Sequence, residues 1–282
     1  MRHAIALTLF VLPNVLPAQE RLLQADDLPA RRTAATVLAF GLDSWRDLGA
    51  AVGGPRLAAA IATAQQCLPA GSSARAAVDE LAQRHVGPSL VHAVKSLVAD
   101  LTFAPVAEAD LPKGLPGFQA LDELELRHYP TYRMVRTGMK GGQFGAFWPL
   151  FNHIKQNEIA MTTPVQIDYR ADGEREREAT MAFLYGSQAL GAPGSDGKVE
   201  VVDVPAMTVL TIGSRGYDRP SRVAELRARI DAWLAQHPEW QVAGEMRTMG
   251  YNSPSVGAER RYFEVQVPVQ PRAATPPLRE WI

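Results

Sequence analysis

Twice between Leu124 and Val269 this chain spells the same series: two short alternating segments, a helical stretch, and two more alternating segments. Alternation with period two marks strands with one buried face, and apolar recurrence every three or four residues marks a helix. The first half reads Leu124 to His128 and Tyr132 to Thr137, joined by a turn at Tyr129-Pro130-Thr131. A helix introduced by Gly141-Gly142 then runs to about Gln156. Ile159 to Tyr169 follows as a strand with Ile159, Met161, Thr163, Val165, Ile167 and Tyr169 on one face, and Thr180 to Tyr185 as another. Beyond a Gly/Ser loop, Gly186 to Gly197, the second half reads Val199 to Val204 and Met207 to Gly213 as strands. Pro220 starts a helix with Val223, Leu226, Ile230, Trp233 and Leu234 in one stripe, and Trp240 to Met249 and Arg261 to Val269 are the last strands. Two β-β-α-β-β halves of similar length imply an internal duplication. The fold class is therefore α+β, with two helices against a strongly curved antiparallel sheet.

The region before this is different. Thr33 to Leu101 is Ala-rich and reads as helices separated by Gly and Pro. Pro55 starts one, with Leu57, Ile61, Ala64 and Leu68 on a face; Ser72 or Ser73 caps a second; Pro88 starts a third, carrying Leu90, Val94, Leu97 and Leu101. Its His85 and His92 lack a carboxylate or thiolate partner in sequence and read as surface residues. The expected organisation is a leader over 1–18, an Ala-rich helical domain over 19–104, and a Pro-rich linker over 105–117. The duplicated domain covers 118–270 and a Pro-rich tail 271–282.

The leader follows from Met1-Arg2-His3, an apolar run from Ala4 to Val15, and Leu16-Pro17-Ala18 before polar sequence, the pattern of a secretory signal peptide cleaved after Ala18. The 15 residues from Ala4 to Ala18, broken by Pro13 and Pro17, are too few to span a bilayer. An exported protein, periplasmic or secreted, is expected, with no membrane span once the leader is removed. Lys+Arg 29 against Asp+Glu 30 leaves no basic surplus for a polyanion, so nucleic acid is not an expected partner. A single cysteine, Cys67, excludes an internal disulfide and any structural zinc site needing two thiolates. Nothing in the sequence bears on oligomeric state.

Ile159-Ala160-Met161-Thr162-Thr163-Pro164-Val165 resembles the Met-Thr-x-Pro-Val strand of the SOUL haem-binding protein family. Gly250-Tyr251-Asn252-Ser253-Pro254 is similar to that family's late loop, and Arg260-Arg261-Tyr262-Phe263-Glu264-Val265 to its final strand. The resemblance covers about Leu121 to Val269. It implies a distorted antiparallel β-barrel of two β-β-α-β-β repeats that binds haem or another tetrapyrrole in a cleft between the first helix and the late loop. Carried over, the cleft would comprise Phe144, Phe147, Phe151 and Asn152 on the helix, and the loop from Tyr251 through Asn252 to Val256. Where relatives often carry Lys or Arg to meet the propionates, this chain has Phe144, Asn152 and Val256.

The residues speak on their own too. On a wheel of about 100° per residue with Phe144 at zero, Leu150, Ile154, Phe147, Phe151 and Trp148 span an apolar arc of about 160°. Docking a helix on a core needs only about 100°. The surplus edge, with Phe144, Trp148 and Phe151, either borders a cleft for a small hydrophobic planar ligand or is covered by the N-terminal helices. His153 falls at about 180°, outside the arc, so it is either solvent-exposed or free to meet a metal. No nucleophile–base pair stands out, so an enzyme is not expected. Carriage, buffering or sensing of a tetrapyrrole is the first expectation. A general effector-binding module, or an interaction protein with the cleft filled by its own helices, is the alternative.

Overall fold

The computed structural model of the chain describes residues 20–172 and 175–273. The expected leader and most of the Pro-rich tail lie outside the described residues. Helix α1 (Asp27–Cys67) is two arms joined at Gly49, whose φ of 68° is a conformation that glycine adopts without steric cost. The arms pack so closely that a Cβ on Gly53 would lie 2.5 Å from the Ser44 carbonyl oxygen, and one on Gly41 2.7 Å from the Ala60 Cβ. Gly49, not Pro55, makes the break, and Pro55 sits inside the second arm. Helix α2 (Ser73–Ala82) is capped by the Ser72 hydroxyl, which accepts from the Arg75 N–H at 3.1 Å, and α3 (Pro88–Leu101) starts at its proline. Leu38, Leu57, Ile61, Val78, Leu90 and Val94 form a core of their own.

Downstream come β1 (Leu124–Tyr129), β2 (Tyr132–Gly138), α4 (Gly142–Gln156), β3 (Val165–Asp172) and β4 (Arg175–Leu184). Then follow β5 (Gly194–Asp196), β6 (Val199–Val204), β7 (Met207–Arg215), α5 (Pro220–Gln236), β8 (Trp240–Val242), β9 (Arg247–Gly250) and β10 (Tyr262–Pro271). The strands make one antiparallel sheet in the order β1-β7-β10-β9-β3-β4-β2-β6-β5, with β8 added beside β10. Read outward from the β9–β3 junction, β3-β4-β2-β6 mirrors β9-β10-β7-β1. That is the duplication, with each half's outermost partner supplied by the other half. The two ends of the sheet do not pair, so the barrel is open.

Three segments depart from the expected pattern. Ile159 to Pro164 is not strand: Pro164 has no N–H to donate, and the Thr163 N–H goes to the Asp110 carbonyl at 3.1 Å instead of a neighbouring strand. The span Trp240 to Met249 is split into β8 and β9. The expected Gly/Ser loop contains β5, which pairs with β6. The Pro-rich stretch is also packed rather than free. Leu111 and Leu115, with Phe103 ahead of the stretch and Phe118 just after it, pack on a cluster of Tyr129, Tyr251 and Tyr262.

Because side chains alternate across a strand, the sheet has two unlike faces. One meets both helices: Leu150 and Ile154 of α4, and Leu226, Ile230 and Trp233 of α5, close on Val135, Ile167, Phe183, Ile212 and Val265. The other carries buried polar groups, among them Glu264, Gln266 and Arg247, with Tyr129 and Tyr132. Among the described residues, no helix is long and apolar enough to cross a membrane.

Candidate functional site

Helix α4 begins at Gly141, whose φ of 82° turns the chain from β2 into the helix. Ala146, Leu150 and Ile154 face the sheet and are buried. One step round the helix, Phe147 and Phe151 are half-buried and stack with centroids 5.6 Å apart and planes 15° from parallel. Phe183 of β4 meets Phe147 edge-on at 5.3 Å, tying this layer to the core. Trp148 stands perpendicular to both, 5.7 Å from Phe147 and 5.9 Å from Phe151, and Phe144 meets Trp148 at 5.8 Å. Phe144 is 75% exposed and Trp148 46%. The surplus arc is thus a two-layer aromatic edge, its inner layer anchored and its outer layer open.

On the flank of α4 that faces β5 and β6 lies an open cleft of about 470 Å³, lined by Trp148, Asn152, His153, Asp196 and Lys198 among others. The structure therefore brings Trp148 and Asn152 together with three polar residues. Lys198 lines this cleft with Trp148, and β5 delivers Asp196. Neither was legible as a site residue, because the end of the Gly/Ser loop and the residue after it carry no motif.

His153 corrects the wheel. It is 8% exposed, not solvent-facing, because β5 folds over the end of α4 and covers it. Its Nδ1 lies 2.8 Å from Asp196 Oδ2 and its Nε2 2.9 Å from the Tyr185 hydroxyl. Both ring nitrogens are thus engaged by hydrogen-bonding partners. Tyr185 is itself buried, and desolvation pushes its hydroxyl above the usual phenol range. With both nitrogens engaged, a metal could reach His153 only by displacing one of these partners. Among the described residues, no cluster of three or more His, Cys, Asp or Glu could hold one.

The late loop does not join the aromatic edge. Tyr251 is 2% exposed and packs with Phe118 at 5.0 Å and Tyr262 at 5.1 Å, in a cluster separate from the α4 rings. Asn252 accepts from the Tyr262 N–H at 2.9 Å and donates to the Val106 carbonyl at 2.8 Å. Ser253 donates from its N–H to Glu108 at 2.6 Å, so the segment after α3 is strapped across this loop. These hydrogen bonds lower the Glu108 carboxyl below its ordinary range. Val256 is half-buried. Of the expected cleft, the structure brings together Phe144, Phe147, Trp148, Phe151 and Asn152, and it gives Tyr251 and Asn252 packing and strapping roles.

The fold defines a class: duplicated α+β domains whose two helices share one face of an antiparallel sheet. The profile of the family described as SOUL heme-binding protein matches residues 116–268, and the chain belongs to that family. No protein of curated function matches the chain. Among solved structures, the chain is similar to the C-terminal domain of EcmrR, at 15% identity and a TM-score of 0.42, over 53% of this chain and 98% of that one. An uncharacterized conserved protein from Listeria innocua is similar at 12% identity and a TM-score of 0.42, over 53% of this chain and 93% of that one. A hydrolase from the same organism matches at 12% identity and a TM-score of 0.41 with the same coverage. Likenesses this distant carry nothing about a ligand.

Proposed function

We propose that this is an exported SOUL-type protein that binds haem or a related tetrapyrrole non-covalently on the outer edge of α4. Its role is carriage, buffering or sensing rather than catalysis. One observation carries the reading: Phe144 and Trp148 stand exposed over a stacked, half-buried layer of Phe147 and Phe151. Large exposed aromatics rimmed by polar residues mark an interaction site. A flat ring suits them, since aromatic pairs contribute about 0.5–1.5 kcal/mol beyond area burial. Burial itself yields about 25 cal/mol per Å². Micromolar affinity, about −8 kcal/mol, is within reach of such stacking after the costs of association.

The residues present fit such a ring better than they fit its iron. The edge offers apolar faces, and Lys198 and Asn152 in the adjoining cleft are placed to meet acidic substituents. His153 keeps its nitrogens between Asp196 and Tyr185. When bound, haem would supply an iron centre, and Phe144, Phe147, Trp148 and Phe151 would hold its ring. The chain's own residues hold the ring and shield its face from water. Haemin titration followed by absorption tests this. Saturable binding is expected, weakened about tenfold by Phe151→Ala, the loss of one stacked ring. Metal-free porphyrin should bind comparably. Loss of haem absorption in His153→Ala with full binding in Phe151→Ala would overturn the reading in favour of axial ligation. For export, mass spectrometry of protein from its native compartment should find a chain beginning at Gln19. A full-length cytoplasmic product would contradict that part.

A further inference from the structure

The face of the sheet away from α4 and α5 holds a second cleft, of about 460 Å³, walled by both halves of the duplication. Small-molecule sites commonly measure about 300–1,000 Å³. Its apolar walls are Met134, Val204, Met207 and Pro268, and at its polar end stand Arg247 and Asp168. Arg247 is 3% exposed. Its Nε donates to Gln266 at 2.9 Å and its Nη1 to the Tyr132 hydroxyl at 2.8 Å, while the guanidinium lies over the Tyr129 ring at 5.2 Å. Its Nη2 has no hydrogen-bond partner among the described residues. Every partner it has is neutral.

A guanidinium keeps its charge at any accessible pH, and burying it without a counter-charge is costly. The other charges of the cleft are already matched outside it. Asp203 pairs with Arg133 at 2.8 Å, Arg136 with Glu200 at 2.8 Å, and Glu245 with Arg170 at 3.6 Å. Asp168 sits opposite Arg247 across the β3–β9 pair. The two do not form an ion pair: the Asp168 oxygens accept from Gln166 at 2.6 Å and from the Thr180 hydroxyl at 2.7 Å. Among the described residues Arg247 thus has no ion-pair partner, and Met134, Val204, Met207 and Pro268 offer an apolar wall in the same cleft.

We infer that this cleft is a second ligand site, for a small amphipathic carboxylate whose head group pairs with Arg247. It lies on the opposite face of the sheet from the aromatic edge, so it stands independently of the tetrapyrrole reading. Calorimetric titration of the full chain with octanoate, octanol and octylammonium tests it. Octanoate should bind one to one, octanol about tenfold more weakly for want of the charged hydrogen bond, and octylammonium more weakly still. Arg247→Gln should bring octanoate down to the level of octanol. Asp168→Asn should tighten octanoate, because it removes the like charge at the mouth. Should Arg247→Gln fail to fold, Met207→Trp fills the apolar wall instead and should block octanoate. Haemin absorption should be indifferent to saturating octanoate. Equal binding of octanol and octanoate, tighter binding of octylammonium, no octanoate binding at all, or displacement of haemin by octanoate would each overturn the inference.

Discussion

Helices α4 and α5 occupy equivalent places in the two halves, and they differ on the side the fold does not need. Both bury an apolar stripe on the same sheet face, Leu150 and Ile154 in one, Leu226 and Ile230 in the other. The outer side of α5 is then tied down by ions. Arg222 pairs with Asp122 and with Glu225 at 2.6 Å, and Arg227 with Glu176 at 2.8 Å. Arg229 pairs with Glu20 and donates to the Asp122 carbonyl at 2.6 Å. A charged outer side is what a surface helix ordinarily shows. The outer side of α4 shows Phe144 and Trp148 to water. Since folding asks the same of both helices, the aromatic edge points to a demand other than folding.

The largest effects should be those the helices share. Leu150→Ala and Leu226→Ala each remove a fully buried side chain and should each cost about 2–5 kcal/mol in urea unfolding. A large cost on one helix and none on the other would break the equivalence. His153→Ala should come next, at about 1–3 kcal/mol, because it leaves the buried Tyr185 hydroxyl unpaired; porphyrin binding, compared where both proteins are folded, should be unchanged. Arg229→Ala should cost about 1 kcal/mol and leave ligand binding alone, which checks that α5 serves structure.

The two sheet faces give a smaller, pH-dependent effect. Burial raises the Glu264 carboxyl above its ordinary range, even though Arg127 and Tyr262 favour its ionised form. The folded state then keeps a proton that the unfolded state has lost. Stability from this group is full below the ordinary glutamate range and is lost as pH rises toward the raised value. Unfolding measured from pH 4 upward should show that decline, and Glu264→Gln should flatten it. A wild-type profile with no decline would contradict the assignment.

The duplication was legible because strand alternation and helical stripes are local signals: β6 and the start of α5 lie where the periodicity places them. The aromatic edge was legible for the same reason, since the arc of α4 is set by spacing alone. What escaped depends on distant partners. His153 lies on the polar side of its own helix, and only Tyr185 and Asp196, 32 and 43 residues away, make that side an interior. Ile159 to Pro164 alternates like a strand, yet its backbone partner is the Pro-rich stretch, a pairing that no periodicity encodes. Tyr251 matched a family loop, but Phe118, at the edge of the segment read as linker, covers it.

The claim that ligand binding was placed on one of two equivalent helices is tested most directly by one titration series. Haemin is added to the wild-type chain, to the double variant Phe144→Ser with Trp148→Ser, and to the α5 variant Arg227→Ser, each confirmed as folded. The double variant changes only exposed rings, so it should keep its stability and lose at least about tenfold in affinity, while Arg227→Ser should bind as wild type. Undiminished binding in the double variant, or a matching loss in Arg227→Ser, would contradict the account.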